Sequence, residues 1–174
     1  MQDINKIWIL LITLSFPNPG MTKGVYQEPD EFIREVFHGS PPEPDRLWIS
    51  GELKENIKFI LGHDPGVLRL RYWIKANRSA WILEEIGKER PITTGIVVND
   101  NQIELIKILI FREIRGWEVR YPFFTDQFKG ITLDDGRQLD KSIDGITGAT
   151  MSVGAVTKLA RLALLLHKKV TEKN

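Results

Sequence analysis

Apolar residues recur at helical spacing in three parts of the chain, and this pattern predicts three helices. The first helix opens at Glu28, with further acidic residues in the turn that the positive end of a helix dipole favours. The second spans Gly51–Leu61, with Ser50 as its cap and Gly62 as its stop. The third runs from about residue 152 to 169 and carries a continuous apolar stripe, followed by two lysines.

Between the second and third helices the pattern changes to the alternation that is typical of strands. Residues 68–75 alternate apolar and polar side chains, and residues 81–83 and 92–98 follow as further strands. An Asn-Asp-Asn turn at 99–101 then leads into residues 102–111, whose two faces are both apolar and which therefore predict a central strand. We expect an α+β domain with a mostly antiparallel sheet, flanking helices and a long C-terminal helix.

Shorter signals divide the rest of the chain. Residues 41–44 are rich in proline and predict an extended linker, and Gly116 interrupts the chain after the last strand. Residues 122–128 predict a short helix, and Asp134-Asp135-Gly136 predicts a turn.

Residues 1–24 resemble a secretory signal peptide. Lys6 precedes the apolar run 7–16, and two prolines and a glycine then end any helix. Cleavage after Gly24 fits the small-residue preference best and leaves residues 25–174 as one domain. Cleavage after Thr22 is the second choice. A buried N-terminal strand or an uncleaved anchor are the alternatives.

Composition removes several classes of function. The chain has 174 residues and a net charge of +1, so bulk charge does not favour nucleic acid or an anionic membrane as its partner. It has no cysteine, which excludes disulfides, thiolate nucleophiles, iron–sulfur clusters and covalently attached haem. Its three histidines show no metal-binding spacing, and we assign no catalytic and no metal-binding residue.

The loop before the last helix, Asp144-Gly145-Ile146-Thr147-Gly148-Ala149-Thr150, carries the strongest functional signal. It brings a threonine hydroxyl to a helix start, where free N–H groups and the helix dipole favour an anion. We expect the N–H groups of Met151, Ser152 and Val153 to be those donors. The loop lacks the lysine of a nucleoside-triphosphate loop and does not follow a βαβ unit. The alternative is that Thr147, Thr150 or Ser152 only caps the helix.

This heptapeptide resembles the flavinylation signature of the FMN-binding domain family, which includes covalent-flavin subunits of Rnf-type complexes and of the sodium-translocating NADH:quinone oxidoreductase. The family pattern is Asp, two variable residues, Ser or Thr, Gly, Ala and Thr, and every defined position is met here. The resemblance implies that FMN is joined through its phosphate to Thr150. It also implies a Mg²⁺-dependent flavin transferase that uses FAD as donor. Because the charge of Asp144 would repel a phosphate, this residue fits better as a ligand for Mg²⁺ or as a recognition element for the modifying enzyme.

A second segment, residues 113–119 followed by 127–130, is similar to the part of the family that lies between the strands and the flavin loop. Arg112, Arg115 and Lys129 are candidates to pair with the phosphate or the flavin. Trp117, Tyr121, Phe123 and Phe124 are candidates to stack on the ring or to belong to the core. The full set of candidate cofactor-binding residues is Thr150, Asp144, Thr147, Gly148, Ala149, Met151, Ser152, Arg115, Gly116 and Trp117.

The signal-like segment and the resemblance together imply an exported carrier, periplasmic or at the cell surface, that relays electrons between proteins. A multihaem cytochrome or a quinone-linked membrane complex would be its redox partner. Two alternatives stay open: a flavin-dependent reductase that acts directly on a small acceptor, and a non-redox module that binds a phosphate compound.

Overall fold

The computed structural model describes residues 24–172 of the chain. Residues 1–23, which hold nearly all of the predicted signal peptide, lie outside the described residues, as do residues 173 and 174. No helix within 24–172 is both long enough and apolar enough to cross a membrane.

The architecture is a single antiparallel sheet with helices on both faces, which confirms the expected α+β class. Its strands lie side by side in the order in which they occur along the chain, each antiparallel to the next. They are β1 (Asp45–Trp48), β2 (Arg69–Lys75), β3 (Arg78–Ile86), β4 (Pro91–Asn99) and β5 (Gln102–Phe111).

Within residues 24–172, four α-helices pack around the sheet, and the long C-terminal helix is present as predicted. They are α1 (Pro29–Val36), α2 (Gly51–Leu61), α3 (Pro122–Thr125) and α4 (Thr150–Thr171). Two 3₁₀ turns, Trp117–Arg120 and Asp126–Phe128, flank α3, so the predicted helix over 122–128 is a broken one. The bounds of α2 agree with the prediction, and Gly62 ends it in the left-handed conformation.

The two faces of the sheet carry separate hydrophobic cores. α4 and α2 cover one face, where Trp81, Ile96 and Leu159 are fully buried. α1 covers part of the other face, where the Phe32 ring lies so close to Gly95 of β4 that a Cβ there would come within 2.6 Å of it. A glycine in the middle of β4 is therefore required by the packing of α1.

Two sequence predictions about the sheet are wrong. β1 lies in the stretch between the proline-rich linker and α2, where no strand was predicted, because four residues are too few to show a period. β5 is the last strand in the sheet order and not a central one. Its two apolar faces have another cause, since both hydrophobic cores use it: Ile106 faces the α4 core and Leu109 the α1 core.

The open edge of β5 is covered by the first residues of the described chain. The backbone N–H of Phe111 donates to the Gly24 carbonyl at 2.7 Å, and that of Tyr26 donates to the Leu109 carbonyl at 2.8 Å. Val25 forms the bridge with Ile110 between them. This short pairing satisfies edge groups that would otherwise be open to another chain.

A polar network is buried under α4. The Trp81 indole N–H donates to the Ser79 hydroxyl at 2.8 Å, and that hydroxyl lies 2.7 Å from Nδ1 of His167. His167 is 1% exposed, and this burial lowers the pKa of its imidazole. The neutral ring is therefore the form that the fold holds.

We predict that stability falls as the pH drops below about 6.5, the unfolded-state pKa of histidine. The folded state holds His167 at a lower pKa, so it binds fewer protons than the unfolded chain in this range and loses stability on acidification. Between about pH 7.5 and pH 5.5, the range in which histidine titrates, the urea midpoint should fall in the wild type and fall less in His167→Gln.

His63 is the matched control, because its pKa is raised by its ring hydrogen bond to the Asp64 carbonyl and by Glu85. Its stabilising contribution is present at low pH and is lost as the pH rises through its folded-state pKa. His63→Gln should therefore steepen the acid loss. An equal pH dependence of the urea midpoint in the wild type, His167→Gln and His63→Gln would contradict the lowered pKa of His167 and the raised pKa of His63.

Candidate functional site

The flavinylation-like loop ends where α4 begins. Thr150 is the first residue of α4 and Ala149 is its N-cap, so the helix starts two residues earlier than predicted. The structure gives this end of α4 no side-chain capping hydrogen bond. Thr147, Thr150 and Ser152 therefore do not play the capping role that the sequence left open.

The free backbone N–H groups at this helix end lie one residue earlier in the chain than those predicted. The N–H of Val153 donates to the Ala149 carbonyl at 2.9 Å and is not available. The N–H groups of Thr150, Met151 and Ser152 belong to the first turn, which precedes the intrahelical ladder. An anion at this point would meet these donors and the positive end of a 22-residue helix.

The loop itself is held by backbone contacts and leaves its threonine accessible. The Ala149 N–H donates to the Ile146 carbonyl at 2.9 Å, and Gly148 takes a φ of 81°. The Asp144 N–H donates to the side-chain oxygen of Gln127 at 2.7 Å, which ties the start of the loop to the helical turns after β5. The Thr150 side chain is exposed.

Gly116 fixes the first turn of α4 to the end of the sheet. It has a φ of 85°, and a Cβ built on it would lie 2.5 Å from Oγ of Ser152. Ser152 itself is 3% exposed. The sequence placed Gly116 among the candidate cofactor-binding residues, and in the structure the first turn of α4 packs against it.

An open cavity of about 450 Å³ lies at the same helix end. It brings together six predicted site residues: Arg115, Gly148, Ala149, Thr150, Met151 and Ser152. Gly116 packs behind it, while Asp144, Thr147 and Trp117 are not part of its wall. A larger cleft of about 700 Å³ lies between α2 and the second half of α4 and contains none of the predicted residues.

Four residues of the cavity wall were missed from the sequence as site residues: Lys88, Glu89, Glu113 and Ile114. The first two lie in the turn between β3 and β4, which is distant from the loop along the chain. Only the pairing of the strands brings that turn to the helix start. Glu113 and Ile114 stood in the segment similar to the family, but no role was derived for them.

Glu113 joins the segment that follows β5 to the turn between β3 and β4. One of its carboxylate oxygens accepts the backbone N–H groups of Lys88, Glu89 and Arg90 at 2.5, 2.7 and 3.0 Å. Partial burial works to raise the pKa of Glu113, but the three N–H donors outweigh it and hold the pKa below its ordinary value. The carboxylate thus stays ionised and fixes the β3–β4 turn beside the helix start.

Several other candidates lie elsewhere. Arg112 bonds Thr93 and lies 3.6 Å from Glu84, and Lys129 pairs with Asp126, so neither faces the cavity. Phe124 is fully buried and belongs to the core. Within residues 24–172 no group of three or more acidic or histidine side chains is arranged to hold a metal ion.

Comparison with known proteins finds a family model that matches part of the chain. Residues 87–165 match the model of the FMN-binding domain family. They begin in the turn that forms one wall of the cavity, include β4, β5 and the whole loop, and end within α4. No curated protein and no solved structure matches the chain significantly.

The match to the FMN-binding domain family covers residues 87–165 and supports a flavoprotein with FMN as its ligand, and the fold that carries this match is α+β. The matched region is preceded by α1, α2 and the first three strands, β1, β2 and β3.

We predict that Gly116→Ala destabilises the protein more than Gly148→Ala. Both glycines have positive φ, so both variants carry a backbone strain of about 1–2 kcal/mol. Only Gly116 has a neighbour in the way, because nothing lies within 4 Å of a Cβ at Gly148. We expect an additional loss of about 1–3 kcal/mol for Gly116→Ala, measured by urea unfolding.

Adding Ser152→Ala to Gly116→Ala should recover part of that extra loss, since it removes the Oγ atom in closest approach. Equal destabilisation by Gly116→Ala and Gly148→Ala would show that Ser152 moves away at no cost.

Proposed function

We propose that this protein is an exported electron-transfer flavoprotein that carries FMN on Thr150 through a phosphodiester bond. The observation that carries the proposal is the exposed Thr150 at the first position of α4, within the cavity and outside any capping role. The family match supports FMN, and the loop sequence supports covalent attachment.

Attachment requires a co-reactant, which we propose is FAD with a separate flavin transferase and Mg²⁺. The bond that forms joins Thr150 Oγ to the phosphorus of the FMN phosphate. The bond that breaks is in the FAD pyrophosphate, so AMP leaves, and the hydroxyl proton goes to the transferase or to water. No oxidation or reduction accompanies this step.

The residues of the cavity fit an FMN group. The free N–H groups at the start of α4 suit its phosphate, and the positive side chains of Lys88 and Arg115 stand in the same wall. Ile114 and Met151 supply apolar surface. The carboxylate of Glu113 does not repel the phosphate strongly, because three N–H groups already bond it.

FMN supplies the redox chemistry when it is bound. The protein's contribution is to hold the cofactor at one point by a bond that dilution outside the cytoplasm cannot reverse. The open cavity supports electron exchange with a second protein, for which a multihaem cytochrome or a quinone-linked membrane complex is the proposed class.

We predict that Thr150→Ala abolishes covalent flavin when the chain is co-expressed with a flavin transferase. Wild-type protein should gain the mass of FMN less one water and should fluoresce in a denaturing gel. Thr147→Ala is the matched control, since Thr147 is an exposed threonine of the same loop, and it should keep at least part of the label. Unmodified Thr150 in folded, exported wild-type protein would refute the proposal.

We also predict that Asp144→Asn slows flavin attachment without unfolding the loop. The loop contact at this position comes from the backbone N–H of Asp144, which asparagine retains, whereas the side chain is exposed and free to contact the transferase or Mg²⁺. Initial rates of flavin incorporation should fall by about tenfold or more, the order expected when a charged contact worth 1.4 kcal/mol or more is lost. The urea midpoint should not change. An unchanged rate would remove Asp144 from the recognition site.

A further inference from the structure

β1 presents two exposed side chains on the face of the sheet that α1 covers only in part. Leu47 packs into the core beneath α4 and α2, so Arg46 and Trp48, on either side of it, point to the opposite face. Both side chains are exposed, and Trp48 is 63% exposed. Among the described residues α1 packs mainly on β3 and β4, so it does not cover this outer part of the face.

β2 adds two exposed arginines to the same face. Arg69 and Arg71 alternate along β2 with residues that pack into the core beneath α4. In the register of the two strands, Trp48 lies opposite Arg69, and Arg46 lies opposite Arg71. The Arg69 guanidinium lies 5.8 Å from the centroid of the Trp48 ring, so the two side chains share one face. We call Arg46, Trp48, Arg69 and Arg71 the arginine face.

The arginine face is unbalanced in charge. Within residues 24–172 neither Arg46 nor Arg69 forms an ion pair with a carboxylate. Arg71 has one acidic neighbour, Asp30 of α1, at 3.9 Å, and both side chains are more than half exposed. Asp45, the acidic residue of β1, points to the other face of the sheet, where its carboxylate accepts a tyrosine hydroxyl of β2 at 2.8 Å. Three arginines therefore share this face with one loosely held carboxylate.

The pairing of Arg46 with Arg71 indicates that an anion belongs here. Like charges directly opposite each other on neighbouring antiparallel strands destabilise a sheet. An anion between the two guanidinium groups would remove the repulsion and accept N–H donors from both. The net charge of the whole chain is only +1, so the arginine face is a local feature and does not follow from bulk charge.

The composition of the arginine face favours a protein over a nucleic acid or a bilayer. Tryptophan and arginine are the residue types that most often carry the binding energy of protein interfaces. The Arg69 guanidinium covers one side of the Trp48 ring, which reduces the ring surface on which a base could stack. A single exposed tryptophan also offers little apolar surface for insertion into a bilayer.

The arginine face reaches the end of the sheet that holds the cavity. β1 and β3 are both antiparallel to β2, so they run in the same direction and finish at the same end of the sheet. Trp48 is the last residue of β1 and Ile86 the last residue of β3. The turn that follows Ile86 contributes Lys88 and Glu89 to the cavity wall. A partner that contacts Trp48 and Arg69 therefore lies at the cavity end of the sheet.

We propose that the arginine face is the docking surface for a protein with an acidic surface. Carboxylates of that protein pair with Arg46, Arg69 and Arg71, and an apolar side chain packs on Trp48. The docking goes beyond the proposed electron transfer and requires neither flavin nor export. In combination with the proposed function, on which this one step rests, the docked protein is the redox partner.

The chemistry of the occupant is tested with the full chain and four probes. The first is a fluorescein-labelled peptide rich in glutamate that also contains phenylalanine, and the second is the same peptide with glutamine in place of glutamate. The others are labelled oligothymidylate and labelled phosphatidylglycerol vesicles. We expect the glutamate peptide to bind at least about tenfold more tightly than each of the other three, and added salt to weaken it. Its backbone amide shifts should be largest in residues 45–48 and 69–73.

Two double variants of equal charge test the arginines. Arg46→Ser with Arg69→Ser should weaken binding of the glutamate peptide by roughly tenfold. Lys168→Ser with Lys169→Ser, an exposed pair at the end of α4, should change it by less than about twofold. The urea midpoint of the arginine variant should stay or rise, because the repulsion between positions 46 and 71 is removed. Weak binding is then not a consequence of unfolding.

Two matched aromatic variants test the centre of the face. Trp48→Ala should weaken binding by about tenfold, and Phe59→Ala should leave it unchanged. The two rings are 63% and 58% exposed, and a guanidinium lies over each, at 5.8 and 5.5 Å from the centroid. Phe59 belongs to α2, on the other side of the sheet.

Three results would overturn the proposal: no binding of the glutamate peptide, equal binding of the glutamine peptide, or equal losses in the arginine and lysine variants. Tighter binding of oligothymidylate or of vesicles would overturn it in favour of a nucleic acid or a bilayer. The Thr150→Ala chain should bind the peptide as the wild type does. Because flavin attachment is measured by mass and docking by anisotropy, failure of one proposal is distinguishable from failure of the other.

Discussion

The close contact of Ser152 with Gly116 fixes the geometry of the whole functional end of the molecule. α4 is anchored along its length by the core beneath it, and this contact brings its first turn close to the segment that follows β5. Any side chain at position 116 would separate the two. The cavity depends on the contact because its walls come from α4 on one side and from the residues around β5 on the other.

The second wall depends on one carboxylate. Glu113 satisfies three backbone N–H groups of the β3–β4 turn, and it places that turn opposite the free N–H groups of α4. The N–H groups of the β3–β4 turn thus already bind the carboxylate of Glu113, whereas those at the start of α4 remain available. An external phosphate is therefore favoured at the start of α4.

Residues 24–27 serve the sheet and the functional end together. They cover the edge of β5 by backbone pairing, and Tyr26 contacts Arg120, which in turn contacts Trp117 and Tyr121. The edge of β5 and the helical turn that follows it are therefore held by the same short segment.

The sequence by itself determined the local elements and the chemistry of the loop. The bounds of α2, the strand over 102–111 and the flavin loop before α4 all follow from short-range patterns, namely helical or strand periodicity and a helix start marked by glycine and threonine. Tertiary structure decided what joins them. The edge position of β5, the strand β1, and the meeting of Lys88 and Glu113 at the start of α4 depend on strand pairing between distant residues, which no local period encodes.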